Sequence, residues 1–264
     1  MTDLPETLPL TPGYVRPAMF RGIPGLIALQ TTRTGGVSLP PHASFNLGIN
    51  TGDEPENVEN NYLLLCRHLR IDRKNVVLSA QVHGTRVCHA LHGGQVGGYD
   101  AIISRTPGLY MGILTADCFP VLVHDLKTSA SAAIHAGWKG TAGHITLVAL
   151  QAMQKEFGTR PEDCRASIGA GISAQHYEVG KKVADNFPSL YLHPSPSGGG
   201  RSMLDLARAN RDQLLAFGIP ASQLEQSGYC TWQNNDLFFS CRRESGKTGR
   251  MLSLIGITPA VASH

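Results

Sequence analysis

The sequence predicts an α+β fold in which a mixed β-sheet is covered by a few helices. Short apolar segments typical of strands outnumber the segments with helical periodicity. Many strand-like segments follow one another directly instead of alternating with helices, which favours segregated sheet and helix layers. The chain has 264 residues, 42% of them hydrophobic, which is enough to bury a sizeable core. No proline- and serine-rich linker divides it before residue 190, so we expect a single domain over residues 1–264.

The first half of the chain contains one predicted helix and most of the predicted strands. The helix covers residues 55–69, because Pro55 lies at its start and Val58, Tyr62, Leu65 and Leu69 recur at helical spacing. Loop sequences rich in glycine and asparagine precede it over residues 33–38 and 46–53. The predicted strands are 27–32, 76–78, 100–103, 109–114, 120–125 and 130–135.

The second half contains two further predicted helices, residues 145–157 and 204–217. Each has an apolar face, and each is followed by a glycine, Gly158 or Gly218, which is typical of a helix C-terminus. The predicted strands are 164–168, 237–241 and 251–255, and residues 193–201 form a loop rich in proline, serine and glycine.

Composition and charge argue against several classes of protein. The net charge is +3 and the basic residues are scattered, so no nucleic-acid surface is indicated. No stretch approaches the roughly 18 apolar residues of a membrane span, and Met1 to Pro17 lacks the pattern of a secretory signal. The six cysteines are too dispersed for a disulfide scaffold. We therefore expect a cytoplasmic protein with free thiols and with neither a membrane nor a nucleic acid as partner.

Several familiar catalytic motifs are absent from the sequence. It has no phosphate-binding Gly-x-x-x-x-Gly-Lys-Ser/Thr loop, no Gly-x-Gly-x-x-Gly and no Gly-x-Ser-x-Gly. It also has no Cys-x-x-Cys and no His-Glu-x-x-His. A multicopper oxidase needs many histidines, often as His-x-His pairs, and no such pair occurs here. None of these classes of enzyme is therefore indicated by the sequence.

Three short motifs place a nitrogen or sulfur ligand beside a small residue at the end of a strand-like segment. They are Gln81-Val82-His83-Gly84, Ala116-Asp117-Cys118 and His135-Ala136-Gly137-Trp138. If the strand ends converge, one thiol and two imidazoles would hold zinc and leave a fourth position for water or substrate, as in catalytic zinc sites. His89, His92, His124 and His144 compete for the ligand role, and spacing alone does not choose among them.

Taken together, the motifs resemble the bacterial laccase-domain family, also called polyphenol-oxidase-like proteins or peptidoglycan editing factors. This family is related to a human purine-metabolism enzyme. The resemblance extends over nearly the whole chain and includes Thr32-Arg33-x-Gly-Gly-Val-Ser, Phe45-Asn46-Leu47-Gly48, Tyr177-Glu178-Val179 and Thr248-Gly249-Arg250. One departure is Tyr62, which follows Asn60-Asn61 where the family often has arginine.

The resemblance implies a sandwich of mixed sheets flanked by helices, similar to putative cysteine hydrolases. It implies zinc held by His83, Cys118 and His135, with copper as another metal for the site. It also implies phosphorolysis of adenosine, inosine and methylthioadenosine, and deamination of adenosine. The implied partners are thus a purine nucleoside and phosphate, and a homodimer is among the assemblies that the sequence leaves open.

A zinc ion on these three residues would activate a water molecule or orient a phosphate. Asp117 is a candidate proton carrier or partner of the ligands, although it could equally cap a turn. Arg33, Asn46 and Arg243 are the candidate substrate-binding residues. Arg242 and the backbone of Gly35 and Gly36 are further candidates for holding an anion.

Three other hypotheses stay open at the level of sequence. The first is a cysteine hydrolase without an essential metal, in which Cys118 is the nucleophile and His135 or His83 its base, acting on an amide of a peptidoglycan precursor. The second is a non-catalytic metal-binding protein. The third is a copper-dependent phenol oxidase, which the missing copper ligands disfavour.

Overall fold

Two six-stranded β-sheets lie against each other, and helices cover their outer faces. The computed structural model describes residues 11–259. The expectation of no secretory signal falls mainly on residues 1–10, outside the described residues. The predicted α+β sandwich flanked by helices is confirmed, and the single domain over residues 1–264 stays a prediction.

Within residues 11–259 the strands, in chain order, are β1 Tyr14–Val15, β2 Leu26–Thr31, β3 Val76–Ala80, β4 Val87–His89, β5 Gly94–Gly97, β6 Ala101–Ser104, β7 Tyr110–Thr115, β8 Phe119–Asp125, β9 Ser131–Ala136, β10 Cys164–Ile168, β11 Glu178–Val179, β12 Leu192–Pro194, β13 Ser202–Leu204, β14 Leu224–Gln226 and β15 Met251–Ile257. The α-helices are α1 Pro55–Leu69, α2 Trp138–Ala142, α3 Ile145–Phe157, α4 Lys181–Ala184 and α5 Leu206–Phe217.

Both large sheets are mixed. The first has the strand order β1-β2-β15-β7-β3-β5, in which β3 runs parallel to β7 and β5 and the other pairs are antiparallel. The second has the order β14-β10-β8-β9-β6-β4, in which only the two edge pairs are parallel. A small antiparallel sheet, β11-β13-β12, completes the β structure of the described residues. Because β3 and β7 are parallel, their carboxyl ends lie at the same edge of the first sheet.

Alternating side chains along the central strands separate the core into layers. In β8, Val121 and Val123 pack on the side of α3 and α5, while Leu122 packs between the two sheets. In β9, Ile134 faces the helices and Ala133 faces the first sheet. The outer face of the first sheet packs against α1. The central strands are therefore buried on both faces, which explains their nearly continuous apolar sequences.

Most predicted elements are confirmed, several of them with the same bounds. The helices at Pro55–Leu69 and Ile145–Phe157 match the prediction, and α5 begins at Leu206 because the Asp205 side chain accepts a hydrogen bond from the Arg208 N–H as its N-cap. No described helix has the combined length and apolar character needed to cross a membrane.

The predicted strand over residues 237–241 is wrong. This segment is irregular and lies between turns, although Phe238 and Phe239 are fully buried beside Ala116 and Met251. Its backbone groups bind side chains and turn carbonyls instead of another strand: Ser240 N–H donates to Glu244, for example. The apolar sequence reflects burial, and the polar partners decide the conformation.

The buried His124 predicts a pH dependence of stability. Burial lowers the pKa of this imidazole to about 4, with a raising effect from Asp125 and a lowering one from Arg165, and its Nδ1 lies 2.9 Å from the Ser131 hydroxyl. Between about pH 6.5 and 4 the unfolded chain therefore binds one more proton at this site. This costs up to roughly 1.4 kcal/mol of unfolding free energy for each unit that the pH falls.

We expect His124→Gln to make the unfolding free energy fall less steeply than in the wild type as the pH is lowered from 7 to 4. Urea unfolding at several pH values measures this slope. The matched control is His92→Gln, at an exposed position, which should keep the wild-type slope. Identical slopes for all three proteins would show that His124 does not cause the acid sensitivity.

Candidate metal centre

Three ligand side chains meet at the edge of the sandwich, and the motifs predicted to converge do so. The ligand atoms of His83, Cys118 and His135 all lie within 4.8 Å of one another. The His83 and His135 rings are 4.7 Å apart between centroids, at 75° to each other. Two imidazoles and one thiol are a donor set that suits zinc, so the residues present fit the implied metal.

The topology explains why these residues meet. His83 lies in the β3–β4 connection and Cys118 in the β7–β8 connection, and both connections cross from the first sheet to the second. Phe119 at the start of β8 pairs with Ala136 at the end of β9, which places Cys118 beside His135. His83 and Asp117 have left-handed backbones, with φ of 58° and 88°. Such angles are uncommon for residues other than glycine, although aspartate and histidine adopt them more readily than most.

Asp100, which sequence analysis missed, ties the centre together. It is fully buried, and its Oδ1 accepts hydrogen bonds from the His83 backbone N–H at 2.9 Å and from His135 Nδ1 at 2.8 Å. Its Oδ2 accepts from the N–H groups of Gly84 at 2.6 Å and Val82 at 3.3 Å. The bond to Nδ1 leaves Nε2 as the atom with which His135 can ligate a metal. The sequence feature that could have pointed to Asp100 is its position as an aspartate at the start of the otherwise apolar segment 100–103.

The electrostatics of the cluster favour ionised ligands. Burial acts to raise the pKa of Cys118, but the charge of His135 and hydrogen bonds from His135 and His83 lower it to about 6. Burial acts to lower the pKa of His135, but Cys118 and Asp100 raise it to about 9. Burial likewise acts to raise the pKa of Asp100, and the hydrogen bonds of His135 and Gly84 bring it below its usual value. These contacts favour the thiolate of Cys118, the form that binds metals and attacks carbon.

The cluster opens on a cleft of about 290 Å³. His135 is buried, Cys118 is half-buried and His83 is exposed, so the cluster can be reached from solvent. The other lining residues come from the loop after Leu47, from the ends of β3 and β7, from β5, and from the last part of the chain. They are Gly48, Ile49, Asn50, Thr51, Ser79, Ala80, Gln81, Gln95, Leu114, Thr115, Ala116, Cys241 and Arg250.

Asp117 is used as an anchor for the segment before β15. Its Oδ1 accepts hydrogen bonds from the hydroxyls of Thr231 and Ser240, both at 2.7 Å, and its Oδ2 accepts from the Arg242 backbone N–H at 2.6 Å. These contacts support the turn-capping role considered from the sequence. Proton transfer by Asp117 stays a prediction.

The predicted substrate residues Arg33, Asn46 and Arg243 do not line the cleft. Arg33 pairs with Glu244 at 3.1 Å and donates to the Asn235 carbonyl. Arg243 donates to the Trp232 carbonyl and lies over its ring, and the Arg242 guanidinium donates to the Glu178 carbonyl. Their binding of substrate stays a prediction.

Asn46 supports the loop of residues 48–53 and the backbone of Arg250 through hydrogen bonds. It is fully buried, and its Oδ1 accepts hydrogen bonds from the N–H groups of Gly48 and Arg250. Its Nδ2 donates to Thr51 Oγ1 and to Asp53, both at 2.9 Å. Asn46 therefore shapes the loop that forms one wall of the cleft and holds Arg250 beside it.

Gln81 and Arg250 line the cleft, and the sequence analysis did not name them as site residues. The Gln81 side chain exchanges two hydrogen bonds with the backbone of Leu114, which joins the ends of β3 and β7. Both residues belong to the motifs that carried the family resemblance, so the signal was present. Of the competing histidines, none belongs to the cluster found within residues 11–259.

Comparison with known proteins supports the resemblance. The sequence model of the family described as multi-copper polyphenol oxidoreductase laccase matches residues 27–258. A purine nucleoside phosphorylase of Bacteroides thetaiotaomicron is 42% identical over 246 residues, covering 86% of this chain and 90% of that protein. One from Deinococcus radiodurans is 40% identical over 228 residues, covering 86% and 87%.

Solved structures agree with the fold. The crystal structure of Bacillus licheniformis hypothetical protein YfiH superposes with a TM-score of 0.89 at 31% identity, covering 94% of this chain and 97% of that chain. YlmD from Geobacillus stearothermophilus gives 0.87 at 33% identity, with the same coverage. The similarity therefore extends over almost the whole sandwich, including all three ligand-bearing segments.

The glycine after the His135-Ala136 pair is required by the cluster. A Cβ atom on Gly137 would lie 2.8 Å from His83 Nδ1 and 3.0 Å from Cys118 Sγ. We expect Gly137→Ala to displace these ligands and lower the metal content of the purified protein severalfold, as measured by atomic emission.

Gly180 provides a matched control, because it is also a helix N-cap with nearly the same backbone angles but nothing within 4 Å of its Cβ position. Gly180→Ala should keep the wild-type metal content. Equal metal content in both variants would contradict the close contact at Gly137.

Asp100→Asn should weaken metal binding, because an amide cannot supply the negative charge that holds His135 and its tautomer. Loss of such a partner typically lowers metal affinity by about 10- to 100-fold. Competition with a chromophoric chelator measures the affinity. Asp72→Asn is the control, since Asp72 caps the short helix Arg73–Asn75 and does not belong to the cluster. An unchanged affinity in Asp100→Asn would refute the proposed support.

Proposed function

Because the chain belongs to the multi-copper polyphenol oxidoreductase laccase family, and relatives at 40% and 42% identity are named purine nucleoside phosphorylases, we propose that it is a zinc-dependent enzyme that cleaves purine nucleosides with phosphate. The proposed substrates are adenosine, inosine and methylthioadenosine, with deamination of adenosine at the same centre. The observation that carries this proposal is the His83–Cys118–His135 cluster, which opens on a cleft.

The chain supplies the features that such a centre needs. His83, Cys118 and His135 would hold the zinc, and Asp100 fixes the ring of His135. When bound by three protein ligands, zinc supplies a Lewis acid with room for substrate or water. The exposed side of the cluster faces the cleft, where Ile49, Leu114 and Ala116 add apolar surface suited to a purine ring.

Copper-dependent phenol oxidation receives less support from the donor set. Within the described residues, the cluster is the one group of three or more histidine, cysteine or acidic side chains close enough to hold a metal. A multicopper centre needs several such groups. The family description names multi-copper chemistry. The described residues of this chain offer one metal position, which is fewer than that chemistry needs.

A second candidate is a cysteine hydrolase, favoured by one specific arrangement. Cys118, His135 and Asp100 form a chain of thiol, imidazole and carboxylate, in which Asp100 accepts a hydrogen bond from His135 Nδ1 at 2.8 Å. This order of groups is that of a nucleophile, its base and the residue that orients the base. An amide of a peptidoglycan precursor is the proposed substrate for this alternative.

Replacing Cys118, which both candidate mechanisms use, tests the leading proposal. We expect Cys118→Ala to lose both its zinc and its turnover of adenosine and inosine, because a three-ligand site would keep only two imidazoles. Cys88→Ala is the control, since Cys88 is a half-buried thiol on β4 outside the cluster, and it should keep both properties. Metal content and product analysis by chromatography measure the outcome, and a fully active, metal-free Cys118→Ala would refute the mechanism.

Chelation separates the two candidates, because both lose activity in Cys118→Ala. Zinc-dependent phosphorolysis should stop after chelation, return on addition of zinc and require phosphate. Cysteine hydrolysis should survive chelation and stop on alkylation. Deamination should proceed without phosphate and release inosine from adenosine.

A further inference from the structure

Arg250 is the one arginine or lysine among the described residues that line the cleft of the metal cluster. It makes no ion pair with a carboxylate among residues 11–259. Of the other candidate guanidinium groups, Arg33 pairs with Glu244. Arg242 and Arg243 do not line this cleft. A half-buried guanidinium that has no carboxylate partner among these residues, on the same cleft as the cluster, is suited to an anionic ligand.

Hydrogen bonds hold Arg250 at its backbone and at Nη1 of its guanidinium. Its N–H donates to Asn46 Oδ1 at 2.8 Å, and its carbonyl accepts from the Leu47 N–H at 3.1 Å. Its Nη1 donates to the carbonyls of Thr248 and Gly249, both at 2.9 Å. Nε and Nη2 have no partner among the described hydrogen bonds, so these two nitrogens, which carry three N–H groups, are available to a ligand.

The loop that contains Gly48 packs directly on the Arg250 side chain. A Cβ atom on Gly48 would lie 2.6 Å from Arg250 Cγ, so the loop approaches the arginine stem closely. Asn50 and Thr51 of the same loop also line the cleft. The Arg250 charge acts on the cleft-lining Cys241 as well: burial raises the pKa of that thiol and Arg250 opposes the rise.

We propose that Arg250 is the residue that binds phosphate for nucleoside cleavage. This inference rests on the proposed function and assigns its second substrate to a place in the cleft. One oxygen of hydrogen phosphate forms a bond to C1′ of the ribose while the C1′–N9 bond breaks. The electron pair leaves with the purine, and the proton lost by the phosphate ends on N9, so the products are ribose 1-phosphate and the free base.

The assignment does not require an arginine at the position of Tyr62, where the family often has one. Tyr62 is buried in α1, and its hydroxyl donates to the Leu47 carbonyl at 2.8 Å. It therefore supports the loop next to Arg250 but brings no cation to the cleft. The charge needed for phosphate comes from Arg250.

Arg250→Gln should raise the KM for inorganic phosphate by about tenfold or more, because a charged hydrogen-bond partner is lost. The KM for inosine should stay within about twofold, and the zinc content should equal that of the wild type. Arg250→Lys keeps the charge and loses the fork, so its phosphate KM should be intermediate. Arg67→Gln, at an exposed position of α1, is the control with wild-type constants.

Calorimetric titration of the zinc-loaded proteins with inorganic phosphate adds a measurement that does not depend on turnover. Phosphate binding that is strong in the wild type and weak in Arg250→Gln supports the anion site even if no nucleoside is cleaved, and then the proposed function alone fails. A wild-type phosphate KM in a folded, zinc-loaded Arg250→Gln, with nucleoside cleavage intact, overturns the role of Arg250 and leaves the proposed function standing. Absence of both phosphate binding and cleavage in the wild type overturns both.

Discussion

The hydrogen bonds of the Asp100 carboxylate are the interaction on which the centre depends. One side chain accepts from three consecutive backbone N–H groups, of Val82, His83 and Gly84, and from the ring of His135. It therefore sets the backbone of His83 and the tautomer of His135, two of the three residues of the cluster. A buried carboxylate needs such donors to remain ionised, so the geometry of the loop and the charge of the carboxylate stabilise each other.

The two-sheet architecture brings the third ligand to the same place. Cys118 lies where the chain leaves β7 of the first sheet and enters β8 of the second, and the pairing of Phe119 with Ala136 aligns it with the end of β9. The connection that carries His83 makes the same crossing between sheets. A centre built at two such crossings combines a rigid β framework with loops that approach a ligand.

The cleft divides into regions with different chemistry. The cluster provides nitrogen and sulfur donors, Ile49 and Leu114 provide apolar surface, and Arg250 provides a positive charge. Asn46 links two of these regions, because the same amide oxygen binds the Gly48 and Arg250 backbones. A metal, an apolar ring and an anion can thus be accommodated side by side, as two-substrate cleavage of a nucleoside requires.

The sequence by itself determined the helices at Pro55–Leu69 and Ile145–Phe157, since their periodicity and the residues at their ends are local signals. It also identified the three ligand motifs through the family resemblance, because the ligands stand beside small residues at strand ends. The tertiary structure alone decided that Asp100 meets His135, 35 positions away, and that Arg250 lines the cleft while Arg33 and Arg243 do not. It also made residues 237–241 an irregular segment. The physical reason is that buried polar groups must find partners, and which partners are near is settled only by how distant segments pack.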